Sequence, residues 1–260
     1  MEIITSKDNQ RLRAARKLFS DKDARYESRT FAVEGIRLVA EAVRLGLPVR
    51  SLFVGEGAQY RYGDKLEAIL PVAEAVFRLP DHLMDGLSDT RTPQGVVAVV
   101  GMPDAVPAPM SGPTLLLCGL QEPGNVGAII RTAVAFGVHV VLAEPCPDPY
   151  SPKVLRASAG GVMTGTVVAV AEAGDYIAAR REAGSPIYAA VLRPDSKRLQ
   201  EVELGDALVL LGNEGAGLPD RLIALTDSGL YIPIRETTES LNVAMAAGLI
   251  AYEMMRGGIS

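Results

Sequence analysis

Short apolar runs alternate with helical patterns through the first hundred residues. A polar, basic helix is predicted over 8–27 and a strand over 30–35. The elements that follow are predicted as helices over 36–45, 63–73 and 81–87 and as strands over 49–54, 75–79 and 95–100. Such alternation is typical of a mixed or parallel sheet covered by helices.

The alternation is clearer after residue 113. The run TLLLC at 114–118 is almost continuously apolar, as strands buried on both faces of a parallel sheet are. Further strands are predicted over 138–143, 166–171, 187–192, 207–212 and 230–234, and helices over 126–136, 152–159, 175–183, 218–226 and 241–256. This pattern predicts an α/β domain with helices on both sheet faces.

A proline-rich segment separates the two patterns. The sequence GMPDAVPAPMSGP at 101–113 holds four prolines and two glycines, which neither a helix nor a central strand tolerates. We therefore predict an N-terminal domain over 1–104, a linker over 105–113 and a C-terminal domain over 114–260. A chain of 260 residues that is 48% hydrophobic suits two such cores.

Composition excludes several classes of protein. The two cysteines, Cys118 and Cys146, are too far apart for a zinc motif and too few for a disulfide framework, which favours a reducing compartment. With two histidines in the chain, a histidine-centred metal cluster is not expected. No apolar run reaches the ~18–20 residues of a membrane span, and MEIITSKDNQ does not resemble a signal peptide. We therefore predict a cytoplasmic protein.

Charge is distributed unevenly. Residues 1–50 hold 11 Lys/Arg against 7 Asp/Glu, whereas the other 210 residues hold 15 against 24. A basic leading segment on an acidic body indicates a local site for phosphates, although a solvated helix face would show the same charges. The candidate phosphate-contacting residues are Lys7, Arg11, Arg13, Arg16 and Lys17.

Three loops carry the candidate chemistry, because each follows a predicted buried strand, where open α/β sheets bind ligands. The first, 118–138, contains a Pro123-Gly124 turn, then Asn125 at an expected helix N-cap and Arg131 on the helix. An ordinary capped helix with a surface arginine would also give this pattern.

The second loop, GNEGAG at 212–217, has three glycines in six residues around Glu214. Glycines let a backbone approach another group closely, and the carboxylate can accept hydrogen bonds. The loop lacks both the Gly-Lys-Ser/Thr ending of a Walker loop and the GxGxxG order of a dinucleotide site. A tight turn without a ligand is the alternative.

The third loop leads from a strand ending at Pro233-Ile234 into the final helix. Ser240 is predicted to cap this helix, and Asn242 lies in its first turn. Serine is common at helix starts, so an ordinary cap is again the alternative.

Together, the three loops resemble the SpoU/TrmH family of the SPOUT superfamily. The matching motifs are Asn125-Val126-Gly127-x-x-x-Arg131-Thr132, Gly212-Asn213-Glu214-Gly215-x-Gly217-Leu218, and Ile232-Pro233-Ile234 followed by Ser240-Leu241-Asn242-Val243. The segment SPKVLRASAGG at 151–161 is similar to a further family segment, so the resemblance spans essentially the whole C-terminal domain. The stretches TSKDNQ, RLRAARKL, FAVEGIRLVAEA and LSDTRTPQGVVAV resemble the RNA substrate-binding domain of many members.

The resemblance implies an α/β fold with a deep trefoil knot in the C-terminal domain and a smaller, ribosomal-protein-like α/β domain before it. It also implies S-adenosylmethionine as methyl donor and an RNA ribose 2′-hydroxyl, most simply of ribosomal RNA, as acceptor. The residues that match the family's cofactor-binding positions are Gly212, Gly215, Gly217, Ile232, Ile234, Leu241, Asn242 and Ala244.

Arg131 matches the family's catalytic arginine. Because a guanidinium has a pKa above ~12, we expect it to orient a phosphate and the 2′-hydroxyl rather than act as a general base. Asn125, Glu214, Ser240 and Asn242 match other polar positions, and we expect them to position substrate and brace Arg131. Family members are homodimers, and an apolar final helix with Met245, Met254 and Met255 would suit such packing, although an intrachain core would do so equally.

Four other functions stay open at this point. A dinucleotide-dependent oxidoreductase is poorly supported, since no GxGxxG follows the first strand of either half. A non-catalytic RNA-binding protein of the same fold, a base methyltransferase and a tRNA 2′-O-methyltransferase are the others. No metal ion is expected for any of the methyltransferases.

Overall fold

A computed structural model describes residues 1–88, 90, 92–104 and 111–258 of the chain. Contacts divide it into two compact units: unit 1 is Met1–Asp104 with Tyr150–Met163, and unit 2 is Ala105–Pro149 with Thr164–Ser260. The segment 150–163 thus groups with unit 1, although it lies inside the sequence-predicted C-terminal domain. Most of the predicted linker, 105–110, lies outside the described residues.

Helices and strands alternate along both units. The helices are α1 Gln10–Ser20, α2 Lys22–Ser28, α3 Ile36–Arg44, α4 Glu56–Ile69, α5 Asp81–Asp85, α6 Pro123–Ala135, α7 Pro152–Ala157, α8 Ala173–Glu182, α9 Asp220–Ile223 and α10 Val243–Gly258. The strands are β1 Glu2–Ile3, β2 Thr30–Glu34, β3 Val49–Gly55, β4 Val76–Leu79, β5 Val96–Gly101, β6 Thr114–Cys118, β7 His139–Ala143, β8 Val167–Val170, β9 Ile187–Ala190, β10 Lys197–Arg198, β11 Leu208–Leu211 and β12 Ser228–Tyr231. The predicted α/β class is confirmed.

Unit 1 is built on a mixed sheet. Among its described residues the strands lie in the order β1-β4-β3-β5-β2, with β5 antiparallel to both β2 and β3. Leu12 of α1 packs with Phe53 and Phe77 of the sheet in one buried cluster. The carboxyl ends of β2, β3 and β4 and the start of β5 therefore meet at one edge.

Two predicted helices of unit 1 have different bounds in the structure. The helix expected over 8–27 is split at Asp21, whose backbone is extended and whose side chain accepts from the Ala24 N–H at 3.0 Å. A side chain that caps the second helix competes with continuation of the first. The helix expected over 63–73 begins earlier, at Glu56, and is kinked at Tyr62.

Unit 2 is built on a sheet whose described strands are all parallel. Their order is β10-β12-β9-β11-β6-β7-β8. Leu116, Val141, Ile187 and Leu210 are fully buried in one cluster, as expected for strands covered on both faces. All carboxyl ends point to one edge, so the loops after β6, β9, β11 and β12 converge there.

The opposite edge is held by a buried guanidinium. Arg180 is 1% exposed and donates to the Thr114 hydroxyl at 3.0 Å and to the carbonyls of Gly112 and Asp206. A buried charge is tolerated when its hydrogen bonds are satisfied. The last residues of the predicted linker are thereby tied to unit 2.

Candidate active site

An apolar cavity lies at the carboxyl ends of β9 and β12 in unit 2. Its volume is about 210 Å³. The lining comprises Ala190, Val191, Leu192, Leu230, Tyr231, Ile232, Ile234, Ser240, Leu241, Ala246 and Ile250. We call it the unit 2 cavity. Of the predicted cofactor-binding residues, Ile232, Ile234 and Leu241 line it, and so does Ser240, which was expected on the substrate side.

Sequence reasoning missed the contribution of β9 and of the inner face of α10. Val191 and Leu192 follow β9, and Ile250 lies two turns into α10. None of them belongs to a recognisable motif. They reach the cavity because β9 pairs with β12 in the sheet, and that order is not legible in the sequence.

A polar network connects the three motif loops. The Asn125 side-chain N–H donates to Glu214 Oε1 at 3.0 Å, and the Asn242 side-chain N–H donates to Asn125 Oδ1 at 3.2 Å. The backbone N–H of Gln121 also donates to Glu214, at 3.3 Å. Three of the predicted polar site residues are thus brought together from loops far apart in the chain. Asn242 adjoins Leu241, so this network borders the unit 2 cavity.

Glu214 is held in its ionised form. Partial burial raises its pKa, but the hydrogen bond from Asn125 and bonds from the backbone of Glu214, Gln121 and Glu122 lower it further, and the net pKa is below the ordinary value. At neutral pH the carboxylate is therefore an acceptor only, which fixes Asn125 with its N–H toward Glu214.

The glycine loop closes on itself. Asn213 and Gly217 exchange backbone hydrogen bonds of 3.1 and 3.0 Å, and Asn213 Nδ2 donates to the Gly119 carbonyl at 2.8 Å. A Cβ on Gly212 would lie 2.4 Å from the Gly217 carbonyl carbon, so only glycine fits there. Gly215 has room, with its nearest neighbour 3.6 Å away, and its N–H donates to Asn213 Oδ1.

Two predicted helix caps are wrong. Helix α6 begins at Pro123 with Glu122 as N-cap, so Asn125 lies in the first turn and is free to bond Glu214. Proline suits the first helical position, where its missing N–H costs nothing. Helix α10 is capped by Asn242 rather than Ser240, since Asn242 Oδ1 accepts from the Ala244 N–H at 2.9 Å. Ser240 lines the cavity instead.

Arg131 is separate from this network. Its side chain is exposed and has no hydrogen bond or ion pair to any described residue. It follows Asn125 by six residues, so the two point about 120° apart around α6. The expected bracing of Arg131 by Asn125, Glu214 and Asn242 is therefore not seen within the described chain.

Helix α10 runs alongside α6 in the same direction. Phe136 of the α6 C-cap and Tyr252 of α10 make an edge-on ring contact at 5.8 Å, and a Cβ on Gly248 would touch Thr132. On its outer side α10 exposes Met245 (63%), Leu249 (46%) and Tyr252, which we call the α10 stripe. Met254, expected at a subunit contact, is fully buried within the chain.

The basic residues predicted to contact RNA differ in their intrachain contacts. The Arg11 guanidinium lies 5.1 Å from the Phe77 ring centroid, Arg16 donates to the Gly86 carbonyl at 2.9 Å, and Lys17 pairs with Asp21 at 3.3 Å. Lys7 and Arg13 are exposed and have no such partner in the described part of the chain. They are the cations that are most available to a ligand.

Other reactive groups are scarce in the described residues. No group of His, Cys, Asp and Glu there is arranged to hold a metal ion. Burial raises the pKa of Cys118 to about 12, so this thiol stays protonated. Among the helices of the described ranges, none combines the length and apolar character needed to cross a membrane.

Comparison with known proteins identifies both parts of the chain. The SpoU rRNA Methylase family model matches residues 112–252, which is more than half of the chain. A second family model, described as an MRM3-like substrate binding domain, matches residues 9–98.

Individual relatives are similar over almost their full length. A 23S rRNA (guanosine(2553)-2′-O)-methyltransferase of Bacillus subtilis is 32% identical, covering 98% of this chain and 99% of the relative. A 23S rRNA (uridine(2479)-2′-O)-methyltransferase of Streptomyces viridochromogenes is 34% identical, covering 99% and 93%. The crystal structure of an AdoMet-bound rRNA methyltransferase from Sinorhizobium meliloti superimposes with a TM-score of 0.84 at 29% identity, covering 100% and 99% of the two chains.

Proposed function

Because the chain belongs to the SpoU rRNA methylase family, we propose that it methylates a ribose 2′-hydroxyl of ribosomal RNA with S-adenosylmethionine as donor. The observation that carries this proposal is the juxtaposition of the apolar unit 2 cavity with the network of Glu214, Asn125 and Asn242. The full-length relatives named as 23S rRNA enzymes favour ribosomal RNA over tRNA.

The apolar lining of the unit 2 cavity suits the adenine ring of the cofactor. An adenine ring needs apolar walls and exposed backbone edges, and Ile232, Leu241 and Ile250 provide the walls where two strands end. When bound there, S-adenosylmethionine supplies an activated methyl group. We place Gly212, Gly215 and Gly217, with Asn242 and Ala244, along the mouth of this site. Gly212 packs directly against the Gly217 backbone, and this close contact keeps the loop at the mouth in one conformation.

The polar network orients the acceptor. Each asparagine side-chain amide has two N–H donors. Asn125 uses one of them to bond Glu214, and Asn242 uses one to bond Asn125. The second N–H of each amide is the donor that we assign to RNA. Because Glu214 is ionised, it holds Asn125 in one amide orientation. Ser240 lies at the cavity wall and positions the substrate beside the cofactor.

Arg131 supplies the positive charge. A 2′-hydroxyl is a poor nucleophile, so catalysis requires lowering its pKa and holding it in line with the methyl group at about 3–3.5 Å. An exposed guanidinium that has no partner among the described residues can bind an RNA phosphate and the hydroxyl together. The guanidinium itself keeps its protons throughout.

Two copies of the chain associate in this proposal. The α10 stripe exposes Met245, Leu249 and Tyr252 side by side, and exposed apolar patches of this kind mark association surfaces. Light scattering should show a dimer for the wild type and a monomer for the Met245→Glu, Leu249→Glu variant. Tyr60→Glu, a change of another exposed apolar side chain in unit 1, should stay dimeric.

Unit 1 binds the RNA, with Lys7 and Arg13 as its most available phosphate contacts. The protein acts in the cytoplasm.

Tritiated S-adenosylmethionine and protein-free ribosomal RNA from cells lacking the gene test the reaction. We expect the label in 2′-O-methylated nucleosides after digestion. Label on a base, or none on RNA, would contradict the proposal. The two relatives modify different nucleotides, so comparing 2′-O-methyl maps with and without the gene identifies the position.

A further inference from the structure

Unit 1 contains a cavity larger than the one in unit 2. Its volume is about 530 Å³, within the ~300–1,000 Å³ of small-molecule sites. It lies where β2 ends and β5 begins, and the side chains that matter below are Glu34, Arg37, Leu38, Glu41 and Gln94. We call it the unit 1 cavity.

Gln94 is held through its amide oxygen. Its Oε1 accepts from the Ile36 N–H at 3.2 Å, at the start of α3. Gly35, at φ +95°, leaves room for this amide, since a Cβ there would lie 3.0 Å from the same oxygen. No recorded hydrogen bond within the described residues uses the two N–H groups of the Gln94 amide. An amide that is anchored by its oxygen, and whose N–H groups bond no described residue, is suited to recognising an acceptor edge.

The acidic side chains of the unit 1 cavity are already engaged. Glu34 accepts from the hydroxyls of Ser88 and Thr90, the latter at 2.7 Å. Glu41 accepts two bonds from Arg44, at 2.6 and 2.8 Å, and these hold the pKa of Glu41 below its usual value. Arg37, by contrast, is exposed and has no partner among the described residues. The Glu34 carboxylate keeps its negative charge, because hydroxyl donors do not neutralise it, whereas Glu41 is paired with Arg44. The positive charge that the cavity offers a phosphate is that of Arg37.

The remaining wall is partly apolar. Leu38 and Ala159 supply aliphatic surface, and Arg156 adds a second guanidinium to the lining. Aliphatic walls, a fixed amide and an available guanidinium together match a flat base that carries a phosphate. RNA-binding proteins take up such unpaired nucleotides by hydrogen bonds to the base edge and by stacking.

We propose that the unit 1 cavity binds one unpaired nucleotide of the RNA substrate, with Gln94 contacting the base edge and Arg37 the adjoining phosphate. This inference rests on the proposed function for the identity of the RNA. It makes Gln94 and Arg37 binding residues that set the affinity for RNA and take no part in methyl transfer.

The test uses the full chain and two single variants. Gln94→Glu keeps an acceptor for the Ile36 N–H but removes both amide donors, and Arg37→Gln removes the available charge. Arg50→Gln is the matched control, because Arg50 is an exposed arginine of unit 1 that pairs with Glu74 and does not line the cavity. Steady-state methyl transfer to protein-free ribosomal RNA separates KM from kcat.

We expect each cavity variant to raise the KM for RNA by about 5- to 10-fold, as the loss of one or two hydrogen bonds predicts. The kcat and the affinity for S-adenosylmethionine should stay within about twofold of the wild type. The Arg50→Gln variant should match the wild type throughout. An RNA KM that is unchanged in both cavity variants would overturn the proposal.

Free nucleotides are the second arm of the test. Nucleoside 5′-monophosphates, measured by calorimetry, should bind weakly, since most of the affinity comes from the rest of the RNA. Tight binding that both cavity variants lose, with an unchanged RNA KM, would make this a free-nucleotide site and overturn the proposal. If the wild type methylates no RNA, the proposed function fails. Anisotropy with labelled ribosomal RNA then decides on the cavity: weaker binding by the variants supports it, and equal binding overturns it.

Discussion

The cavities of the two units differ in how their polar side chains are used. In unit 2, Glu214, Asn125 and Asn242 bond to one another beside an apolar cavity. In unit 1, Arg37 and Gln94 line a cavity. The Arg37 guanidinium and the Gln94 amide N–H groups bond no other residue in the described part of the chain. Side chains that hydrogen-bond to one another hold a single geometry, which catalysis requires. Donors that make no bond within the described chain are available to bind RNA and so add affinity.

This difference predicts which kinetic constants respond to changes in each unit. Changes in unit 2 should alter kcat, cofactor affinity or stability. Changes at the basic surface and cavity of unit 1 should alter RNA affinity and its dependence on salt. Arg131 is the informative exception, because it belongs to unit 2 but, like Arg13 and Arg37 of unit 1, is exposed and has no partner among the described residues.

The largest effect is expected for Arg131→Ala. Loss of a charge that stabilises the reacting oxygen should lower kcat by about 100- to 1,000-fold. Affinity for S-adenosylmethionine should be unchanged, since Arg131 does not line the unit 2 cavity. Arg221→Ala, which removes an exposed arginine from the short helix α9, serves as control. If Arg131→Ala raised the KM for RNA and left kcat intact, Arg131 would function like the cations of unit 1.

Gly212→Ala should lower stability by about 1–3 kcal/mol, because its Cβ would be forced against the Gly217 backbone. Thermal unfolding should show a lower Tm, and calorimetry should show weaker cofactor binding. Gly215→Ala is the matched control for the Tm measurement only, because its Cβ would meet nothing closer than 3.6 Å. Equal Tm values for the two variants would argue against a rigid glycine loop at 212–217.

Arg13→Gln should weaken RNA binding modestly and reduce the slope of log affinity against log salt by about one. Its Tm should not change, since Arg13 has no intrachain partner among the described residues. Arg16→Gln should lower both RNA affinity and Tm, because Arg16 also bonds the Gly86 carbonyl. An unchanged salt slope for Arg13→Gln would remove α1 from the RNA-binding surface.

The smallest effect concerns Glu214 and pH. Its pKa is lower in the folded chain than the ordinary 4.5, so the ionised carboxylate stabilises folding at neutral pH. Because Glu214 is largely exposed to solvent, the stabilisation is small. The difference between wild type and Glu214→Gln in urea unfolding should shrink as pH falls below about 4.5. A difference that persists in acid would mean that Glu214 acts through shape rather than charge.

Local patterns predicted most elements but not their ends. The apolar run Thr114–Cys118 predicts a buried strand, and it forms one. Asp21 looked like an ordinary polar position in a helix, yet its side chain caps a new helix. The sequence predicts caps at Asn125 and Ser240, whereas Glu122 and Asn242 occupy the cap positions. Asparagine and serine suit both caps and helix starts, so their type alone does not locate a boundary.

The motif residues were found from the sequence, whereas their partners were not. Glu214, Asn125 and Asn242 each belong to a separate motif, and the sequence around each one does not indicate that they bond to each other. The threading of the knot stays a prediction from family resemblance. Arg16 is less available to RNA than Arg13 because it bonds the Gly86 carbonyl. The pattern of charges along the sequence does not reveal this contact.

Burial periodicity, glycine loops and motif spacing are properties of neighbouring residues, so the chain alone was enough to indicate an α/β protein, its family and its ligand loops. The order of strands in the sheet is different, because it follows from packing of the whole core. That order brings Leu192 and Ile250 to one cavity and joins side chains 89 and 117 positions apart. Hydrogen bonds over such separations form only once the fold has closed the intervening loops.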